Sequence, residues 1–395
     1  MARILLAWEL GSGLGHVRAL TTLARALRER GHAIALAMPD PKLLPPQARD
    51  IALRLAPAFR PGTRNDIASY PEILVAHGWD RAERVAADLA IWESSLVDID
   101  LVVANHAPGA LLAAHALKLP RVAIGTGFTC PPDAAPMPCF RSWDPITSAR
   151  LEASERDVRV AIGGALQQRL ATPIATLAEA FAQVPTALWT EAALDPYRPR
   201  ANILTAGALG EAGADERLIL PRRDVGTRVF AYLKWAHPAT IPLLQALRAR
   251  ADATTVAFVA GIPAHGIASL SSASLQVVSS PLPLSGALAW CEVAICHGGA
   301  TTTSAALAAG RALLLLPEVP EQFLTALAVH ALGAGHWWVP ASAEDEAISW
   351  PMLFERWLGD ATMRSVAKAF GESVEGYRPE RAQARLCAAI EAALI

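Results

Sequence analysis

Cysteine is scarce in this chain of 395 residues. Its five copies, Cys130, Cys139, Cys291, Cys296 and Cys387, are odd in number and follow no metal-ligand spacing. That argues against a disulfide framework or a cysteine-built metal site, and reduced thiols in a cytoplasm are the expected state. An excess of charge is lacking too. Lys and Arg number 35 against 37 Asp and Glu, a formal net charge of −2, which speaks against a general nucleic-acid or anionic-membrane binder. No apolar run approaches the roughly 20 residues of a membrane span, although 53% of residues are hydrophobic. Much of that share is alanine, a helix former. The opening MARILLAWEL has one basic residue, a short apolar stretch and no small-residue cleavage site, so it reads as a first strand and not a signal peptide. No repeat of solenoid period is present.

What is there is an alternation of strands and helices. RILLAWEL is an apolar run of strand length, and GSGLGH breaks it. Leu20, Leu23, Ala24 and Leu27 then recur at helical spacing up to Gly31, and HAIALAMP is a second strand. Strand, glycine turn, helix and strand make one βαβ unit of a parallel sheet. Further units follow: a helix over 83–97, a strand DLVVANH, a helix GALLAAHALKLP and a strand RVAIGTGF. TCPPDAAPMPCFRSWDP holds too many prolines for regular structure and reads as a long loop. Residues 146–183 look largely helical. A second series begins with TRVFAYLKW and continues through TTVAFVA, LQVVSS, EVAICH and ALLLLP as strands, with helices over most of 321–395. The expected organisation is a domain over 1–205, a linker over 206–226 and a second domain over 227–395, with the last helix packing back on the first domain. The class is α/β: two doubly wound domains, with ligands expected outside the carboxyl ends of the strands.

Three stretches carry the chemistry. GSGLGH, Gly11 to His16, follows a strand and opens a helix, so bare backbone and a helix N-terminus meet a histidine suited to act as a base. A dinucleotide fingerprint would need glycine where His16 stands, and only Asp40 favours that reading. CHGGATTTS, from Cys296, places His297, Gly298 and Gly299 before Thr301, Thr302, Thr303 and Ser304 at another helix start. Small residues, hydroxyls and unpaired N–H groups suit a phosphate. It is not a Walker A loop, since no Gly-Lys-Ser/Thr occurs there. PEVPEQ follows, with Glu321 and Gln322 placed to hydrogen-bond a polyhydroxyl ligand.

Taken together, HGGATTTSAALAAGRALLLLPEVPEQFLTALAVHALGAG resembles the C-terminal half of GT-B glycosyltransferases of the UDP-glucuronosyl/glucosyltransferase-like superfamily, in the bacterial macrolide- and flavonoid-modifying branch. GSGLGHVRALTTLARALRERGHAIAL and DLVVANHAPGALLAAHALKLPRVAIGTG resemble the same family's N-terminal half. The resemblance implies two Rossmann-like domains facing across a cleft. It implies an inverting, metal-independent transfer of a sugar from a nucleotide diphosphosugar, bound as co-substrate, to the hydroxyl of a small-molecule acceptor. No cofactor is implied. His297, Gly298, Gly299, Thr301 and Thr302 would hold the donor diphosphate, Glu321 and Gln322 the donor sugar, and Lys234 in YLKW could reach a phosphate. His16 would be the base. Gly13, Gly15 and Phe128 would lie on the acceptor side.

The chain departs from the pattern at several positions. The aspartate that orients the base in many relatives is matched by Asn105, followed by His106. An amide can accept a hydrogen bond from the imidazole but cannot balance the charge that forms on protonation. A more acidic acceptor, or His106 acting as base, would answer that loss. Thr301 stands where the pattern has a small glycine, Ala305 where plant members have the ribose-binding acid, and Ala19 where a proline is usual. Asn105 and Thr301 support an alternative, a GT-B pseudoenzyme that binds nucleotide or a partner protein. A non-hydrolysing sugar-nucleotide epimerase fits less well, because the Glu321–Gln322 helix start belongs to the transferase pattern.

Overall fold

A computed structural model describes residues 1–11, 14–60, 62, 66–141, 143–167, 174–201, 203–210, 226–339 and 349–394. Gly13 and most of the 206–226 segment lie outside the described residues. The chain forms two compact units, Met1–Leu209 with Glu380–Ile395, and Gly210–Pro379. Among the described residues no helix is long and apolar enough to cross a membrane.

The first unit is built on a parallel sheet of β1 (Arg3–Trp8), β2 (Ala33–Ala37), β3 (Ala52–Arg54), β4 (Leu101–Asn105), β5 (Arg121–Gly125), β6 (Thr186–Leu188) and β7 (Leu204–Thr205), in the order β3-β2-β1-β4-β5-β6-β7. The central strands are the apolar runs. Every residue of β4 is buried, as are Ile4 to Trp8 of β1. Helices cover both faces of such a sheet, so its strands carry no alternation. The order reverses between β1 and β4, and their register sets Trp8 beside Asn105. The loops after these two strands therefore leave the sheet side by side, where ligands of doubly wound folds bind. Strands β3, β6 and β7 are two or three residues long, too short for periodicity to reveal. The span 146–183 is helical only in part, over Ser148–Leu166 and Leu177–Phe181.

The helix Pro379–Ala392 belongs to this first unit. Leu386, Cys387 and Ile390 are buried in one cluster with Leu20, Leu23 and Leu27 of the first helix. At its end Glu391 accepts hydrogen bonds from Arg30 Nε and Nη2 at 2.8 and 2.5 Å, and lies 3.1 Å from His32 Nε2.

The second unit repeats the plan with β8 (Thr227–Lys234), β9 (Ala253–Ala260), β10 (Leu275–Val278), β11 (Val293–Cys296), β12 (Ala312–Leu315) and β13 (Gly335–Trp337), all parallel, in the order β10-β9-β8-β11-β12-β13. Its order reverses between β8 and β11. The short β13, carrying Trp337, interrupts the span 321–395 otherwise read as helices.

Leu386→Ala should lower the stability of the first unit by about 2–5 kcal/mol, the usual cost of a cavity in a closed core. Denaturant unfolding measures it, and a loss below about 1 kcal/mol would mean that the last helix is not part of that core.

Candidate functional site

At the first reversal His16 occupies the opening turn of the helix Leu14–Glu29. Its Nδ1 lies 3.2 Å from Asn105 Oδ1, so the neutral ring carries its proton on Nδ1 and leaves Nε2 as the basic nitrogen. Trp8 stacks on the ring at 5.0 Å and 12°. The Trp8 indole donates to Leu10 O at 2.7 Å, and the Leu10 N–H donates to His106 O at 2.9 Å. Gly109 N–H donates to Glu9 Oε2 at 2.7 Å. These bonds staple the loop after β1 to the loop after β4. Gly11 is required twice over: its φ is +87°, and a Cβ there would stand 3.1 Å from His16 Nε2 and 3.4 Å from His106 Nδ1. The missing side chain keeps the space beside both imidazoles open.

His106 is buried, adopts a left-handed φ of +47°, and sets its ring 6.3 Å from that of His16. Among the described residues its Nε2 has no hydrogen-bond partner, and neither does Asn105 Nδ2. Phe128, half-buried, meets the His106 ring edge-on at 6.5 Å and Phe140 at 5.2 Å. Tyr70 lies 6.4 Å from His106. The turn carrying Phe128 is tied down from beneath by Arg200, which pairs with buried Asp195 at 2.6 and 2.9 Å and donates to Gly127 O and Cys130 O. Gly15 is exposed with open space around it, and it joins none of these contacts.

Burial pulls the pKa of half-buried His16 down from the ordinary 6.5 to about 4, and the bond to Asn105 offsets only part of that. His106 falls well below its ordinary value, through burial first and then through His16 and His77. Both rings are neutral at pH 7. The unfolded chain takes up a proton on His16 near pH 6.5, before the folded chain does. The stability this group supplies is thus complete above pH 6.5 and is lost as the pH falls toward 4.

At the second reversal β11 ends in His297. Gly298 has φ +80°, and a Cβ on it would meet Gln322 O at 2.9 Å. Gly299 caps the helix Ala300–Ala308 without a side-chain bond, and no acidic residue sits in the first turn. The positive end of this helix is thus left bare. The hydroxyl tract divides: Thr303 and Ser304 are fully buried, while Thr301 and Thr302 stay half-exposed. Glu321 lies in the first turn of the helix Pro320–Ala331. Gln322 Oε1 accepts the Glu318 N–H at 2.8 Å, closing the PEVPEQ turn.

The His297 ring is engaged on both nitrogens. Nδ1 donates to Leu316 O at 3.0 Å, and Nε2 accepts the Lys234 N–H at 3.0 Å. Burial lowers its pKa to about 4. The ring expected to face a diphosphate instead ties together the ends of β8, β11 and β12, and it carries no charge at pH 7. The Lys234 ammonium is paired with Glu318. Burial raises the Glu318 pKa, but Lys234 and the neighbouring histidines outweigh it, and the net shift is downward. His237, His297 and Glu318 bring potential ligand atoms within 4.8 Å of one another. With both His297 nitrogens already bonded, they do not form an open metal-ligand set.

No family model matches the sequence, and no curated protein does. Solved structures do match along the whole chain. A calicheamicin glycosyltransferase is 19% identical, covering 100% of this chain and 98% of its own, with a TM-score of 0.70. The glycosyltransferase SnogD from Streptomyces nogalater is 21% identical, covering 98% and 99%, with a TM-score of 0.62. The spinosyn rhamnosyltransferase SpnG complexed with thymidine diphosphate is 18% identical, covering 98% and 100%, with a TM-score of 0.63. The fold is that of the GT-B glycosyltransferases. Within this GT-B frame, each unit gathers its candidate residues at the point where its own strand order reverses.

Trp8, Gly11, His237 and Glu318 were not singled out from the sequence as site residues. Gly11 and Glu318 stood inside the quoted motifs, GSGLGH and PEVPEQ, and Trp8 ends the first apolar run, so position alone could have found them. His237 had no local signal. An NMR titration of the imidazole Cε1–H should place His16 near 4, and Asn105→Asp should raise it by at least about one unit. A wild-type value near 6.5, or no shift in the variant, would contradict this account of the site.

Proposed function

We propose that the protein is a glycosyltransferase that moves a sugar from a nucleoside diphosphate sugar to a hydroxyl of a small-molecule acceptor. The observation that carries the reading is the bare N-terminus of the helix Ala300–Ala308, reached through Gly298 and Gly299 at the reversal of the second sheet. An imidazole stands at the equivalent reversal of the first sheet. Full-length likeness to natural-product glycosyltransferases supports it.

In this reading the N–H groups at Ala300, Thr301 and Thr302 and the Thr301 and Thr302 hydroxyls receive the diphosphate. Charge grows on the departing diphosphate in the transition state, so preorganised donors there lower the barrier. Lys234 adds a cation once it leaves Glu318, and His297 acts by holding the loop in shape. Glu321 and Gln322 contact the sugar. His16 Nε2 takes the acceptor proton while the oxygen attacks the anomeric carbon opposite the leaving group. A single displacement of this kind inverts that carbon, and protein donors take the place a metal would fill. One observation favours the pseudoenzyme reading: the amide of Asn105, where a carboxylate would support the base.

Calorimetric titration with dTDP, UDP and GDP should give micromolar binding of one nucleotide; the first is the natural one to begin with, given the thymidine diphosphate in the spinosyn enzyme. Binding of none would refute the proposal. His16→Ala should then cut turnover about 10²–10⁴-fold and leave nucleotide affinity unchanged. Retained turnover would remove His16 from the role of base, and binding without turnover in the wild type would favour the pseudoenzyme. Glu321→Ala should weaken binding of the intact donor more than of the bare diphosphate, and equal losses would exclude a sugar contact.

A further inference from the structure

We infer that the acceptor oxygen is an acidic, phenol-type hydroxyl on an aromatic ring and not an aliphatic alcohol. The inference rests on the glycosyltransferase reading and specifies its acceptor.

The argument begins with what surrounds the base. Among the described residues of the first unit, the groups facing His16 are Asn105 on Nδ1, the Trp8 indole on one face, and His106 with the glycine backbone of residue 11 on the Nε2 side. None of these supplies a negative charge. When Nε2 takes a proton, the imidazolium finds an amide oxygen, an indole face and a second neutral imidazole. Glu9, the nearest carboxyl in sequence, points away: it accepts the Gly109 N–H, and burial raises its pKa to about 8, so it is mostly neutral at pH 7. His106 cannot take over as a strong base, since burial pulls it too well below the ordinary value. Among the described residues the site therefore has hydrogen-bond acceptors for a proton but no anionic group to stabilise the cation that results.

Such a base works only where the proton is already loosely held. A phenol, with a pKa of about 10, lies roughly six units closer to it than an alcohol of water-like acidity, about 15.7. The second half of the argument is the row of rings beside the base. From His16 it runs to His106, Phe128, Phe140 and Tyr197, with centroids 6.3, 6.5, 5.2 and 6.5 Å apart. Half-buried Phe128 is the member beside His106 that retains exposed ring, and its turn is fixed by the buried Arg200–Asp195 pair. An aromatic acceptor meets the exposed part of Phe128, which buried His106 and Phe140 back from behind, in the edge or offset contacts that ring pairs prefer. The His106 ring is itself buried between Tyr70 and Phe128 and backs this row without adding a charge.

The step balances without another reagent. The phenol O–H proton passes to His16 Nε2 and the phenolic oxygen bonds the anomeric carbon. The bond from that carbon to the diphosphate oxygen breaks, and the nucleoside diphosphate leaves with the electron pair. His16 then releases its proton to water.

The test uses the full chain, the sugar nucleotide whose diphosphate binds in calorimetry, and two acceptors on one frame: a naphthol and the matching naphthalenemethanol. The wild type should prefer the naphthol by at least about 100-fold in kcat/KM, with rates that stay level as the pH falls until it nears 4. Asn105→Asp supplies a counter-charge. It should narrow the preference at least about tenfold and move the acid limb to higher pH. Equal wild-type rates on the two acceptors would overturn the inference, and so would a folded Asn105→Asp protein with an unchanged ratio. Should that variant fail to fold, a series of ring-substituted naphthols on the wild type decides the point. Rates that ignore acceptor acidity would contradict it. Nucleotide binding with transfer to neither acceptor sinks this inference and leaves the donor site standing, whereas no nucleotide binding removes both.

Discussion

Both sheets are parallel and closed over by helices, and this constraint governs where the protein can carry polar chemistry. A strand buried on both faces has no solvent side, so β1, β4, β11 and β12 are runs of apolar residues almost from end to end. Polar side chains are admitted where a strand runs out and its loop must satisfy its own backbone. At a reversal of strand order two such loops diverge toward opposite faces and leave room between them. His16, Asn105 and His106 collect at one reversal, and Lys234, His297 and Gly298 at the other. The two units solve one packing problem in the same way and then differ in the residues placed at the opening.

That difference is chemical. The second unit exposes a helix N-terminus among small residues, with a lysine held nearby by Glu318, and its preference is for negative charge. The first unit sets a depressed imidazole against an amide and surrounds it with rings. Its helix too begins without an acidic residue in the first turn, but the group set beside that turn is a neutral imidazole and not a lysine. Both histidines that open these loops are neutral at pH 7, through burial in each case. Their roles part company because His297 spends both nitrogens on main-chain groups, whereas His16 spends one, on the Asn105 side chain.

Much of this was legible in the residues. Strong apolar runs gave the central strands, and the GSGLGH and HGG turns marked both reversals because only glycine tolerates the backbone that Gly11 and Gly298 adopt. The pairing of His16 with Asn105, separated by 89 positions, was anticipated from the family pattern and not from any local signal. Sequence was silent where the physics is non-local. The edge strands β3, β6 and β7 are too brief to show a period, and their pairing comes from the neighbouring strand. The engagement of the His297 ring depends on Leu316 and Lys234, which belong to different strands' ends. Glu318 reads as an ordinary turn acid until β8 brings Lys234 to it.

The most direct test of the central claim is a crystal structure of the protein grown with a nucleoside diphosphate. The account predicts the diphosphate against the N–H groups at the start of the helix Ala300–Ala308, with Lys234 released from Glu318 and the His297 ring still bonded to Leu316. A diphosphate seated instead on the glycine turn before His16, with the second unit's helix end bare, would contradict it.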